Sequence, residues 1–221
     1  MSSMPERSSR QELRYFGAVT ASVSHELKNV LAILNEHAGL LQDFTAMAEQ
    51  GQPLDVERIR RLSATMLAQI GRGGAIVKRM NRFAHSADQE RATVELGGLA
   101  ALVVELFGRS AATRGVTVAV RGAQQALLIR TRPFALETLL GSLLDRLTAA
   151  LPGIGTLAIE LQSGAATAQI SVPGLAEHAE AVAVLLASDD VKALLSVLHA
   201  NADFSDARGA LLITLPGDID A

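Results

Sequence analysis

The stretch from Gln11 to Glu49 is one uninterrupted helical pattern, and its length limits how the rest of the chain can be arranged. At 100° per residue, Val23, Leu27, Val30, Leu34 and Leu41 lie about 140–200° from His25 and form a single apolar stripe. His25 points the other way. Asn29, one turn further on, lies only about 40° from it on the same face. A structural histidine would sit on the stripe; this one is presented to solvent, beside the carboxylate of Glu26 and the amide of Asn29.

The first helix stops at Gly51-Gln52-Pro53, where two breakers mark a turn. A second helix begins near Leu54-Asp55 and carries Ile59, Leu62, Met66, Ile70, Val77, Met80 and Phe83 at heptad-like spacing. Gly71, Gly73 and Gly74 interrupt its middle, each costing up to about 1 kcal/mol against alanine. The pattern favours a close-packing point there over a bend. Two helices of roughly 50 Å joined by a short turn make an antiparallel hairpin. One hairpin alone leaves much of both stripes wet, and a second copy would cover them by completing a four-helix bundle. A homodimer through residues 11–88 is therefore expected. The alternative is that the stripes pack on the chain's own C-terminal part.

Composition excludes several classes. The 221 residues are 49% hydrophobic and 19% charged, which predicts a packed core and not a disordered chain. Formal charge is −3 with no basic block, so a nucleic-acid partner is not expected. The absence of cysteine excludes disulfides and thiolate metal sites. No apolar run approaches the roughly 18 residues of a membrane span, and the polar start, Met1 to Arg10, has no signal core. No membrane association and a cytoplasmic location are expected. One tyrosine, six phenylalanines and no tryptophan imply an aliphatic core.

Residues 1–10 read as a disordered tail, residues 11–88 as the helical hairpin, and the polar run Ser86 to Arg91 as a linker to a second domain at 92–221. In that domain Val94-Glu95-Leu96 is a short extended entry, Leu99 to Ala112 a helix, Val116 to Val120 and Ala126 to Ile129 strands, and Phe134 to Leu151 a helix. Thr156 to Leu161 and Ala166 to Val172 are hairpin-paired strands around Ser163-Gly164. Ala176 to Ala187 and Asp190 to Ala200 are helices, and Leu211 to Leu215 a closing strand. The order predicts an α+β chain: a helical hairpin followed by an α/β two-layer sandwich with helices on one face of a mixed sheet.

Ser24-His25-Glu26-Leu27-Lys28-Asn29 resembles the H-box of sensor histidine kinases, in their dimerization and histidine phosphotransfer domain. Ile76 to Ala84 resembles the end of that domain's second helix, and Val94 to Ala150 follows the start of the family's ATP-binding domain in order and length. The resemblance extends over nearly the whole chain after residue 10. It implies that His25 carries a phosphoryl group, that Glu26 activates the imidazole, and that Glu26 and Asn29 form part of a phosphatase-type Glu-x-x-Asn motif.

The departures from the family are as informative as the matches. The family's N-box helix holds magnesium and phosphates through asparagines; the aligned positions here are Ser142 and Arg146, with Asp145 displaced by about 100° of helix. Where the family has an Asp-x-Gly-x-Gly turn to read adenine, this chain has Pro173-Gly174-Leu175-Ala176 after the strand Gln169 to Val172. The glycine-rich lid is replaced by an alanine-rich helical pattern over Glu177 to Ala187, and no glycine motif precedes the helix at Val191. The resemblance is thus to a histidine kinase whose ATPase domain has degenerated.

The surviving chemistry needs an exposed imidazole with a neutral attacking nitrogen. Glu26 could accept the imidazole's other N–H or take up a proton, Asn29 could orient a water or a phosphoryl oxygen, and Lys28 could offset phosphoryl charge. The expectation is a phosphotransferase: a dimeric histidine phosphotransferase of the dimeric type found in phosphorelays, exchanging a phosphoryl group at His25 with receiver-domain aspartates. It would bind no cofactor itself, and magnesium would come with the receiver. The partners implied are a response regulator receiver and a hybrid histidine kinase. The alternatives are a non-catalytic pseudokinase regulator and a receiver phosphatase using Glu26 and Asn29. His37 reads as a flank packing residue; His85, His178 and His199 have no metal-ligand spacing; Arg130 and Arg132, around Thr131, read as a solvated edge.

Overall fold

A computed structural model describes residues 4–122, 126–150, 155–164 and 166–218. The chain is α+β, with a helical N-terminal region followed by a mixed-sheet α/β domain. It divides into two compact units, and the boundary runs through the long helices. Residues 20–82 form one unit; residues 1–19 join Phe83–Ala221 in the other.

The helical unit is built from α1 (Met4–Glu49) and α2 (Val56–Ala87). Asp55 starts α2 by accepting the Arg58 N–H at 3.0 Å, as an N-cap carboxylate does. Val23 and Val30 are buried, and so is Ile76. Leu27, Leu34 and Leu41 are only half-buried and Leu31 is exposed, so the predicted stripe is split between an inner and an outer edge. Close packing occurs at Gly73, where an added Cβ would meet Val30 Cγ1 at 3.4 Å. Gly71 and Gly74 have open space within 4 Å. Leu67, Ile70 and Val77 are exposed alongside those two glycines.

In the other unit, β1 (Ala92–Glu95) pairs antiparallel with β3 (Leu128–Thr131) as a separate two-stranded ladder. The Glu95 carboxylate caps α3 (Leu96–Thr113) by accepting the Gly97 and Gly98 N–H groups. By length and composition α3 is apolar enough to cross a membrane, which the expected absence of any such run overlooked. It is a core helix here: Leu99, Val103 and Phe107 are buried in the same cluster as Leu136, Leu139 and Leu143 of α4 (Pro133–Ala150).

The main sheet has the order β2-β4-β5-β7-β6, from β2 (Thr117–Gly122), β4 (Thr156–Ser163), β5 (Thr167–Val172), β6 (Asn201–Ser205) and β7 (Ala210–Pro216). Only β2 and β4 run parallel; the other neighbours are antiparallel. Leu157, Ile159 and Leu161 of β4, Ala168, Ile170 and Val172 of β5, and Leu211, Ile213 and Leu215 of β7 are buried at alternate positions, so one face meets the helices. The helices α5 (Ala179–Ala187) and α6 (Asp189–Val197) complete the layer. The predicted helix 176–187 is a 3₁₀ turn at Ala176–His178 followed by α5. Leu151 lies outside the described residues. Strand β6 was not expected. Asn201 and Asp203 disfavour a strand, but an edge strand paired only to β7 tolerates them.

Two further expectations are corrected. From Met4 onward the predicted tail is helical; residues 1–3 lie outside the described residues. Ser86, placed in the linker by its polarity, belongs to α2 and donates to Glu137 Oε2 at 2.6 Å. Both errors share a cause: contacts distant in sequence hold these polar residues. Four of the chain's seven aromatic rings meet here. Phe83, fully buried, stacks on Phe16 at 5.6 Å, meets Tyr15 edge-on at 5.7 Å and touches Phe134 at 5.5 Å. Large-to-small changes at such a site cost about 3–5 kcal/mol. Phe83→Ala should lower urea stability by that amount, whereas a loss below about 1 kcal/mol would mean the cluster is peripheral.

Candidate functional site

The Ser24–Asn29 segment lies in the middle of α1, where helical geometry fixes the direction of each side chain. His25 is exposed, as are Ser24, Lys28 and Asn29. Glu26 differs. Its carboxylate is only 13% exposed and pairs with Arg79 Nη2 of α2 at 3.3 Å. The role expected for it, accepting the imidazole N–H, is thus not the contact observed. Glu26 ties α1 to α2 one residue from the histidine, because Arg79 reaches it across the hairpin. Arg79 is the residue missed by sequence reasoning; it was in view at the end of the second helix, but only the antiparallel register pairs it with Glu26.

His37 Nδ1–H donates to the Ile33 carbonyl at 2.9 Å and the residue is half-buried, as a flank packing residue would be. His85 lies 3.5 Å from Asp88. Among the described residues no three histidine, aspartate or glutamate side chains converge on a point where a metal could sit. Arg132 pairs with Glu90 at 3.0 Å and Arg130 lies 3.8 Å from Asp218, so both edge arginines have partners within the chain.

In the other unit, polar groups gather on the face of α4. Ser142 is buried, and Gln11 Nε2 donates to its Oγ at 3.0 Å. A Cβ at the neighbouring Gly141 would clash with the hydroxyl end of the Tyr15 ring, at Cε2, Cζ and Oη, so glycine lets the ring sit where it does against α4. Arg146 donates to Ser188 Oγ at 2.9 Å and to Asp190 Oδ2 at 3.1 Å. Asp145 pairs with Arg114 at 2.8 Å. Arg7 pairs with Asp189. The first turn of α6 therefore carries two carboxylates, each already matched to an arginine, and the partial positive charge of its N-terminus is offset from within. Between α4 and α5 lies a cavity of about 250 Å³, lined chiefly by Leu147, Leu185 and Val184 with Arg146 and Ser188 at its polar side. That is below the roughly 300–1,000 Å³ of small-molecule sites.

Burial raises the Glu12 carboxyl above the ordinary range, partly offset by a hydrogen bond from Ser8 and by the charge of Arg132. Burial, reinforced by the Glu137 carboxylate, also raises the Tyr15 phenol.

No protein-family model and no curated protein sequence matches the chain. Among solved structures the similar chains are histidine kinases. The Acinetobacter baumannii histidine kinase AdeS is 15% identical over 87% of this chain and 97% of its own, with a TM-score of 0.44. The ATP-binding domain of PrrB from Mycobacterium tuberculosis is 16% identical over 58% of this chain and 98% of its own, at 0.45. The histidine kinase ThkA in complex with the response regulator TrrA is 14% identical over 94% of this chain and 64% of that one, at 0.43. Scores this low do not place the chain in that family.

A carboxyl raised on folding stabilises the folded state fully below the ordinary carboxylate range, and that contribution is lost as pH rises through the folded value. Glu12→Gln, which cannot ionise, should therefore raise the unfolding midpoint at pH 7, with the gap closing towards about pH 4. A lower midpoint at pH 7 would show that the Ser8 and Arg132 contacts outweigh burial.

Proposed function

We propose that the chain is a histidine phosphotransferase that exchanges a phosphoryl group at His25 with a receiver-domain aspartate and does not use ATP. The observation carrying this reading is Arg146. It stands where the histidine kinases have an asparagine for magnesium and phosphates, and it is held between Ser188 and Asp190 at the start of α6. A nucleotide there would have to displace an arginine from its carboxylate. Gln11 on Ser142 and the Tyr15 ring over Gly141 close the neighbouring turn of α4 in the same way. On this reading the exposed His25 takes its phosphoryl group from another protein.

In the transfer, the lone pair of a neutral His25 nitrogen attacks the phosphorus of the aspartyl phosphate. The P–N bond forms, the P–O bond breaks, and the receiver's carboxylate leaves with the electron pair. The imidazolium then sheds the proton on its other nitrogen to water. Catalysis of this kind is mostly positioning and charge stabilisation. Lys28 and Asn29, both exposed near His25, are the groups to meet phosphoryl oxygens. Glu26, paired with Arg79, holds the segment in place as a positioning residue. Magnesium would come with the receiver. The same pairing weighs against the phosphatase reading, which needs Glu26 free.

The homodimer belongs to this proposal. Leu67, Ile70 and Val77, with the open Gly71 and Gly74, form one face of α2, roughly 120° from the face bearing Ile76 and Met80. On α1, Leu31 beside Leu27 and Leu34 forms the matching outer edge. Two such hairpins would bury both edges in a four-helix bundle, at about 1.5–3 kcal/mol per large side chain covered.

Incubation with a phosphorylated receiver tests the function. Acid-labile label should appear on the protein and be abolished in His25→Ala. Accelerated loss from the receiver with no label on the protein would favour the phosphatase; binding without either would favour the regulator. For the dimer, Ile70→Glu should halve the mass by sedimentation without loss of helix signal. An unchanged mass would mean that the α2 face is covered otherwise.

A further inference from the structure

The N-terminal third of α1 is unlike the rest of that helix. Residues 4–19 belong to the C-terminal unit, although the same helix continues without a break into the unit that carries His25. The chain thus crosses between the two units twice, at residues 19–20 and 82–83.

The contacts along this arm are graded. At its inner end Tyr15 lies against Gly141, Phe16 packs on Phe83 and Phe134, and Val19 is buried. At its outer end the contacts are polar. Arg7 pairs with the exposed Asp189, an ion pair of the kind that contributes little. Gln11 makes one hydrogen bond to Ser142, Leu13 is 72% exposed, and Glu12 is a half-buried carboxylate that burial disfavours. Segments with few apolar contacts open at lower free energy than the unit they cap.

We propose that residues 4–19 are a detachable strap, seated on α4 through the Tyr15–Gly141 contact and peeling from its polar outer end. Seated, it covers Gly141 and Ser142. Released, it uncovers that face of α4, while the covalent connection through α2 at residues 82–83 is unchanged. The strap rests on the packing of the C-terminal unit and does not depend on the phosphotransfer reading.

Tyr15 is the chain's single tyrosine and there is no tryptophan, so the protein's ultraviolet emission reports the strap directly. In the full-length protein Tyr15 should resist acrylamide quenching. In Gly141→Val, whose side chain takes the place of the ring, quenching should rise severalfold and amides 4–19 should exchange rapidly, while β4, β5 and β7 keep their protection. A second variant leaves the ring contact intact: Arg7→Ala with Gln11→Ala should speed exchange at residues 4–14 about tenfold and leave the sheet unchanged. The proposal is overturned if Tyr15 stays shielded in Gly141→Val, if the sheet amides lose protection together with the arm in either variant, or if the double variant leaves exchange at 4–14 unaltered.

Discussion

The contact on which this architecture depends is Phe83 packed among Phe16, Tyr15 and Phe134. It joins three segments that are far apart in sequence: the start of α1, the end of α2 and the start of α4. Aromatic side chains bring large buried area and fix geometry through their ring-edge preferences. A chain with seven aromatic residues has placed four of them at this one junction. The unit boundary therefore falls within the helices, and the polar residues beside the junction are ordered: Ser86 on Glu137, Gln11 on Ser142.

The two units differ in what is left open and what is filled. Around His25 the surface is open: imidazole, ammonium and amide are all exposed within one turn of α1. Across α4 and the first turn of α6, in contrast, polar positions are met by the chain's own side chains. Arg146 and Arg7 each hold a carboxylate of α6, and Tyr15 closes the glycine. Of these two pairs, Arg7–Asp189 is the more exposed and contributes little, whereas Arg146 is held by Ser188 as well as Asp190. On the proposed reading the α/β domain keeps its sheet and helices for docking, with a small cavity between α4 and α5.

Local periodicity made most of the fold legible. The long helices, the exposure of His25, the succession of strands along the chain up to β5 and the helices on one face of the sheet follow from spacing two, three or four residues apart. Contacts at long range were not legible. Residues 4–10 are polar and read as a tail because nothing nearby in sequence says that α4 and α6 await them. Strand β6 was hidden by Asn201 and Asp203, which only an edge position accommodates. Glu26 read as a general base because its neighbour is a histidine; the partner that claims it, Arg79, lies on the other helix. At Ser142 and Arg146 the sequence revealed a substitution, but not that Gln11 and Asp190 occupy the places those residues face.

The central claim is that His25 takes its phosphoryl group from a receiver aspartate and not from ATP. Mass spectrometry of the intact phosphohistidine under neutral conditions tests it most directly, after parallel exposure to a phosphorylated receiver with magnesium and to ATP with magnesium. The account predicts an adduct mapping to His25 in the first sample alone. An adduct on His25 formed from ATP, or an adduct from the receiver on any other residue, would contradict it.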